Sequence, residues 1–335
     1  MTEERSSLLS LSKAPFSTKT EKVLPVVTVL RPMSSDPAAL VVFARLPIPG
    51  KAKTRLAKDV GDANAAEFYA RMAERIFTVT SRCERISSRT VFFSERGEED
   101  GIRRWLQGKR RTRALDPRAA SWADIRLEPQ AGGGDLGERM RRALDHALSR
   151  GGSDGGPCAK AIVIGTDIPS LDAKHVDRAV TLLDTHDAVF GPAVDGGYYL
   201  LGVRASTSKN RTDIAGAGPG AVSGGAGSGG GGAGPGAAHP AMFTDIPWST
   251  GTVLADSLRA CDANGVAYAP VESMETLRDV DTADDVYAWI ECRFDRSADT
   301  GVYVPNELAD AGWDLLRDSG HGCTEPHRDD TRLPD

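Results

Sequence analysis

Short apolar runs alternate with segments of helical periodicity along most of this chain, and that alternation limits the possible fold more than any other feature. Ala39–Arg45 (ALVVFAR) has the continuous apolar character of a strand buried on both faces. Beyond Asp62, taken as an N-cap, Phe68, Met72, Ile76 and Val79 recur at helical spacing. Strands are then expected at 90–94, 125–129, 161–165, 188–192, 198–203 and 267–271. Helices are expected near 98–107, 136–149, 173–184, 252–264 and 283–294. Repeated β–α units of this kind predict an α/β fold: a single Rossmann-like, mostly parallel sheet flanked by helices. In such sheets ligands bind beyond the carboxyl ends of the strands, so the loops that follow each strand become the places to search.

Three stretches lie outside the pattern. Residues 1–38 carry scattered Ser, Lys, Pro and Glu and read as a disordered extension; a transit peptide is the alternative, although Glu3 and Glu4 suit an acid-poor leader badly. Residues 206–238 are half glycine in their densest part and too poor in apolar side chains to offset the entropy of ordering, which predicts a flexible insertion within one α/β domain over 39–295. Residues 296–335 read as a polar tail, with one short helix near 306–317 and no obvious core face. Of the 335 residues, 40% are apolar, enough for a soluble core, and no run approaches the roughly 18 apolar residues of a membrane span. A net charge of −6 gives no basis for nucleic-acid binding. The five cysteines are odd in number and lack any Cys-x-x-Cys pair, so neither a disulfide framework nor a thiolate zinc site is indicated. A reducing, cytoplasmic setting follows as the expectation, with organellar targeting as the alternative that the N-terminal stretch leaves open.

Four loops carry the residues suited to chemistry. The first follows Ala44 and Arg45. It stiffens its turn with Pro47 and Pro49, admits close backbone approach at Gly50, and presents Lys51, Lys53 and Arg55, cations suited to phosphate, though without the spacing of a P-loop. The second, Gln130–Met140, sets three glycines ahead of Asp135 and Glu138, whose spacing is that of a capping box; Gly134 and Gly137 suggest a flat group such as a nucleobase against the backbone. In the third, Asp167 stands at the tip of a buried strand and Pro169 stops the ladder, a position suited to Mg²⁺ or Mn²⁺. In the fourth, Asp195-Gly196-Gly197-Tyr198 reads either as a plain hairpin turn or as the source of a second metal ligand or general base in Asp195. Two further segments, Ile246–Thr250 and Arg278–Asp285, each precede a helix. Trp248 suits an acceptor pocket or the core, Ser249 or Thr250 a cap, and Asp281 or Thr282 a cap for the last helix, its Asp-x-Asp being read as structural.

In order, VVFARLPIPGKAKTRLA, QAGGGDLGERM, VIGTDIPSL, GPAVDGGYYLLGV, IPWST and LRDVDTADD resemble the glycosyltransferase-A-like proteins called radical-SAM/selenodomain-associated transferase family 1, over about 39–291. The resemblance implies a nucleotide-diphospho-sugar transferase fold with a nucleotide cleft at the strand tips. Under it, Ala44, Arg45, Pro49, Gly50, Lys51, Lys53, Arg55, Gln130, Gly134, Asp135 and Gly137 fall to the nucleotide. Gly196, Gly197, Tyr198, Trp248, Ser249 and Thr250 fall to a small acceptor, Asp167 and Asp195 to Mg²⁺ or Mn²⁺, and Asp195 also to catalysis. A metal-dependent transferase using a nucleotide-sugar is the leading expectation. Where the usual local Asp-x-Asp would follow the central strand, however, only Thr166-Asp167-Ile168-Pro169 stands. That lone acid followed by proline is more similar to molybdenum-cofactor and phospholactate guanylyltransferases. It keeps a nucleotidyltransferase acting on a triphosphate as the second expectation. A nucleotide-binding module without turnover is the third.

Overall fold

The apolar run that opens the pattern forms β1 (Ala38–Ala44), a strand covered on both faces in the computed structural model. Described are residues 36–94, 97–113, 122, 125–130, 132–205, 238–300 and 307–320. The bulk of the expected N-terminal extension and Gly-rich insertion, and most of the polar tail, lie outside them. β1 pairs in parallel with β2 (Ile86–Phe93) on one side and β4 (Lys160–Ile164) on the other, and β3 (Ile125–Pro129) extends the sheet beyond β2. β6 (Tyr198–Arg204) then runs antiparallel between β4 and β5 (Ala188–Pro192), giving the order β3-β2-β1-β4-β6-β5. The sheet is therefore six-stranded and mostly parallel, as expected. Reversal of β6 brings its first residue, Tyr198, to the edge where β1, β4 and β5 end.

Helices cover both faces because β1 presents apolar side chains to each in alternation. Leu40, Val42 and Ala44 pack into one layer with Phe68, Met72 and Ile76 of the helix Asp62–Thr80; Ala39 and Val41 pack into the other with Leu144 and Leu148 of the helix Leu136–Arg150. In chain order the helices are α1 (Ala57–Val60), α2 (Asp62–Thr80), α3 (Glu99–Arg113), α4 (Leu136–Arg150), α5 (Ala173–Leu182), α6 (Val253–Ala263), α7 (Ala283–Thr300) and α8 (Glu307–Asp318). Among the described residues no helix is long and apolar enough to cross a membrane.

Three local expectations are corrected. Residues 267–271 make no strand: only Tyr268 bridges Ala188, and a short 3₁₀ turn at Val271–Ser273 follows, because Pro270 has no N–H to give to a ladder. The N-cap of α2 is Gly61, with Asp62 in its first turn. The helix read as lacking a core face has one. Leu308, Ala309, Leu315 and Leu316 are buried on α8, and Gly312 sits close enough to Val286, Ile290 and Phe68 that no larger residue fits there unshifted.

Candidate active site

At the edge where β1 and β4 end, the chain must turn without a helix directly in line, and Pro47, Pro49 and Gly50 (φ +78°) shape the first of these turns. Lys53 follows in the left-handed region (φ +51°), unusual for a residue with a long side chain. The consequence is a lysine side chain only 5% exposed whose Nζ lies 2.5 Å from Asp167 Oδ1 and 2.6 Å from Asp281 Oδ1. Both carboxylates remain open to solvent, at 45% and 39% exposure. Burial alone would push the Lys53 pKa down, but the two adjacent carboxylates outweigh it and raise the value, so the ammonium stays charged. Asp281 is held below the usual carboxylate range: desolvation opposes this and the cations Lys53, Arg55 and Arg45 prevail.

The last-helix segment supplies carboxylates that the capping interpretation had spoken for. Thr282 and Asp285 cap α7 between them: Asp285 Oδ2 accepts from the N–H of Thr282 (3.0 Å) and Thr282 Oγ1 accepts from the N–H of Asp285 (3.2 Å). Asp281 is thereby free to face Lys53. The chain before it runs beneath two strand tips. Leu277 N–H donates to Pro192 O (3.1 Å), Val194 N–H to Leu277 O (3.0 Å) and Val280 N–H to Asp167 O (3.0 Å). Asp279 is thus carried into the cleft with Asp195. Burial, and then the negative charges of Asp195 and Asp281, lift its pKa to about 6. Asp281, read from the sequence as a cap, and Asp279, read only as part of a structural Asp-x-Asp, are therefore both cleft residues. The signal was present: with Thr282 and Asp285 sufficient to cap, two further acids were surplus.

A relay of hydroxyls ties the tips of β1 and β4 together. Arg45 N–H donates to Tyr69 Oη (2.9 Å), which pairs with Thr166 Oγ1 (3.0 Å), and Thr166 in turn donates to Phe43 O (3.3 Å). Since a carbonyl only accepts and an amide N–H only donates, each hydroxyl has one available direction, and Tyr69 donates to Thr166. Tyr69 is fully buried on α2, and that burial, with Asp167 nearby, lifts its pKa to about 12.

Opposite the charged half stands a wall of aromatic and apolar groups: Leu136, Met140, Tyr198, Trp248 and Val253. Trp248 lies against Gly137, where a Cβ would stand 2.3 Å from its Cζ2. The glycine in the first turn of α4 is explained by this indole rather than by a ligand's flat face. Gly196 (φ +86°) is similarly required, because a Cβ there would meet Gly251 O at 2.0 Å. That contact, with Leu254 N–H donating to Gly196 O (3.0 Å), docks the Asp195 turn on the segment leading into α6.

The resulting cleft, about 640 Å³, brings together Ala44, Arg45, Arg55, Gln130, Asp167, Asp195, Gly197, Tyr198, Trp248, Ser249 and Thr250. Tyr69, Thr166, Arg139, Asp279 and Asp281 join them, none of them expected from the sequence as a site residue. Arg139 is held by Gln130, whose Oε1 accepts from it (3.4 Å) while Nε2 donates to Phe92 O (3.2 Å). Pro49, Gly50, Lys51, Lys53, Gly134, Asp135, Gly137 and Gly196 do not line the cleft; Lys53 is buried behind the carboxylates of Asp167 and Asp281. Lys51 O receives Arg45 Nη1 (3.2 Å), and Asp135 caps α4 by accepting from Glu138 N–H (2.8 Å), while Glu138 turns away to Arg141 and Arg142. The Asp195 carboxylate closes its own turn by accepting from Gly197 N–H (2.9 Å), so this segment is a hairpin turn and a cleft wall at once.

Sheet order, the reversed β6 and a cleft at the strand tips define an open α/β sheet of the nucleotide-diphospho-sugar transferase type. A structure from Desulfovibrio desulfuricans G20 described as such a transferase matches with a TM-score of 0.59, 22% identity and coverage of 84% of this chain and 96% of that one. A cytidylyltransferase from Leptospira borgpetersenii matches at 11% identity and a TM-score of 0.41 over 86% of this chain and 98% of that one. The family model DUF2064, described as an uncharacterized protein conserved in bacteria, matches residues 93–215. By sequence, the 3-phospho-D-glycerate guanylyltransferase of Phenylobacterium zucineum (strain HLK1) is 39% identical over 88 residues, 26% of this chain. The chain thus spans 37% of the length of the curated relative it matches.

Proposed function

We propose that the chain is a nucleotidyltransferase that joins the nucleotidyl group of a nucleoside triphosphate to a small phosphorylated or acidic acceptor, releasing pyrophosphate. The observation that carries this reading is the origin of the two carboxylates flanking Lys53. They come from separate loops, at Asp167 and Asp281, instead of from one local Asp-x-Asp after the central strand. The similarity to a guanylyltransferase supports it from a different direction.

In this reading Arg45 and Arg55 bind the triphosphate and neutralise the charge that grows on the departing pyrophosphate. An acceptor oxygen attacks the α-phosphorus, a new P–O bond forms, and the bond from the α-phosphorus to the bridging oxygen of pyrophosphate breaks. Any proton on the attacking oxygen passes to Asp195 or Asp279. The aromatic half of the cleft, with Tyr198 and Trp248, and the exposed Ser249 and Thr250 orient the acceptor. Among the described residues no three His, Cys, Asp or Glu side chains converge to hold a metal by themselves. Asp167 with Asp281 or Asp195 nevertheless fits the habit of Mg²⁺ and Mn²⁺, which take one or two carboxylates and complete their shell with phosphate oxygens and water. Bound there, the ion would supply further charge neutralisation at the leaving group.

Transfer from a nucleotide-sugar is a second reading, favoured by the Trp248 and Tyr198 wall, which suits the flat apolar face of a sugar ring. Pyrophosphate measured with each of the four triphosphates, Mg²⁺ and a panel of small phosphorylated and carboxylic acceptors separates the two. Pyrophosphate release that Asp167→Asn lowers about 10²-fold supports nucleotidyl transfer. Consumption of nucleotide-sugars without pyrophosphate overturns it in favour of sugar transfer. Nucleotide binding without either leaves a binding module.

A further inference from the structure

We propose that the Lys53 ammonium is the resident counter-ion of Asp167 and Asp281, and that a divalent cation enters between these carboxylates only by expelling it into the cleft. The arrangement is that of one cation held by two anions, with Nζ at 2.5 Å and 2.6 Å from one oxygen of each. Those oxygens therefore stand within two ion-pair lengths of each other, and a divalent ion with ligands at about 2.0–2.2 Å would draw them closer than that limit. The lysine is buried, but both carboxylates open toward the cleft, so a second cation approaches from the solvent side and meets the ammonium already in place. Two cations between the same two carboxylates repel, and occupancy becomes exclusive.

Among the described residues, the other lysine whose head is buried behaves differently. Lys160 pairs with Asp184, and both side chains are closed to solvent, a structural pair with no route for exchange. Lys53 differs in having partners that face a cavity. It is also a compact charge on a flexible stem, free to swing once its partners are taken, whereas a guanidinium fork would be harder to redirect. Where it swings to rests on the nucleotide-transfer reading: the expelled ammonium joins Arg45 and Arg55 at the phosphates. Metal and polyphosphate then favour each other's binding, by the same factor in both directions.

Mn²⁺ binding to the full chain without nucleotide, followed by the electron paramagnetic resonance of free Mn²⁺, tests the exchange itself. Lys53→Met is expected to bind Mn²⁺ at least tenfold more tightly than the wild type, and Lys53→Arg, which keeps the charge, to show no such gain. Equal affinity in wild type and Lys53→Met overturns the proposal, as does failure of a folded Lys53→Met to bind Mn²⁺. Should Lys53→Met not fold, the wild type gives its own readout: acetylation of Lys53 by an amine-directed reagent, mapped by mass spectrometry. Mn²⁺ is expected to raise its labelling several-fold; unchanged or reduced labelling at Mn²⁺ concentrations that saturate the site overturns the exchange. An Mn²⁺ arm that behaves as expected, beside triphosphates that leave Mn²⁺ affinity unaltered, retains the exchange and sinks the nucleotide reading instead.

Discussion

Replacing Gly137 by alanine should destabilise this protein, although the change is one that ordinarily strengthens a helix. Alanine is favoured over glycine in a helix interior by about 1 kcal/mol, and Gly137 lies in the first turn of α4, where somewhat less of that gain applies. Against it stands Trp248. A Cβ at position 137 would lie 2.3 Å from Cζ2, 2.4 Å from Cε2 and 2.6 Å from Nε1, so the indole must retreat by about 1 Å to reach ordinary contact. Overpacking of this kind costs about 1–3 kcal/mol, and the half-buried indole packs against the core layer that contains Met140 and Leu144. We expect a net loss of about 1–2 kcal/mol for Gly137→Ala, read as a lower midpoint at unchanged slope in urea unfolding followed by far-ultraviolet circular dichroism. In a Trp248→Ala background the sign should reverse, with the alanine at 137 stabilising by up to about 1 kcal/mol. The cycle then has a coupling of about 2–3 kcal/mol. A neutral or stabilising Gly137→Ala in the otherwise native chain, or additivity across the cycle, would refute the packing argument and return the glycine to a ligand-facing role.

Two other perturbations read the cleft. Asp279, with a pKa lifted to about 6 from the ordinary 3.8, disfavours its own charged form in the fold, so it subtracts stability as pH rises from about 4 through 6 and by a constant amount above. Asp279→Asn should therefore exceed the wild type by about 1 kcal/mol at pH 8, solvent screening of this partly exposed group having reduced the effect, with the gap closing toward pH 4; a gap independent of pH in denaturation titrations contradicts the assignment. Tyr69→Phe breaks the hydroxyl relay and leaves the Arg45 N–H without its acceptor, at a cost of about 1–3 kcal/mol. Adding Thr166→Val should cost less than it does alone, because the relay is already lost, and full additivity in the same unfolding assay would show that the two hydroxyls do not act together.

Elements whose signal is local were legible from the residues. The strands at 125–129 and 188–192 are bounded as expected, and α2 buries Phe68, Met72, Ile76 and Val79. Asp172 caps α5, and His175 Nδ1 completes the cap by accepting from the Asp172 N–H; aspartate is among the preferred residue types there. Elements that depend on a distant partner were not. The stretch at 267–271 has the composition of a strand, but the sheet gives it a single bridge and Pro270 denies it another. The stripe of Leu308, Ala309, Leu315 and Leu316 repeats at helical spacing, yet its burial depends on α2 and α7, which no local pattern reveals. In the cleft the same division holds. Asp167 and the cations at 53 and 55 announced themselves by standing after strands, whereas Asp279 and Asp281 reach the site only through backbone pairing with residues more than eighty positions earlier.

The reversal of β6 has a bearing on how this chain can be altered. Because that strand begins at the cleft, it ends at the opposite rim, where Ala205 N–H bonds Ala159 O (2.9 Å); the chain rejoins the described fold at Ala238, whose N–H bonds Asp145 Oδ1 in the far half of α4 (2.9 Å). Departure and return both sit away from the cleft. This rim is a natural port for a reporter or an affinity tag.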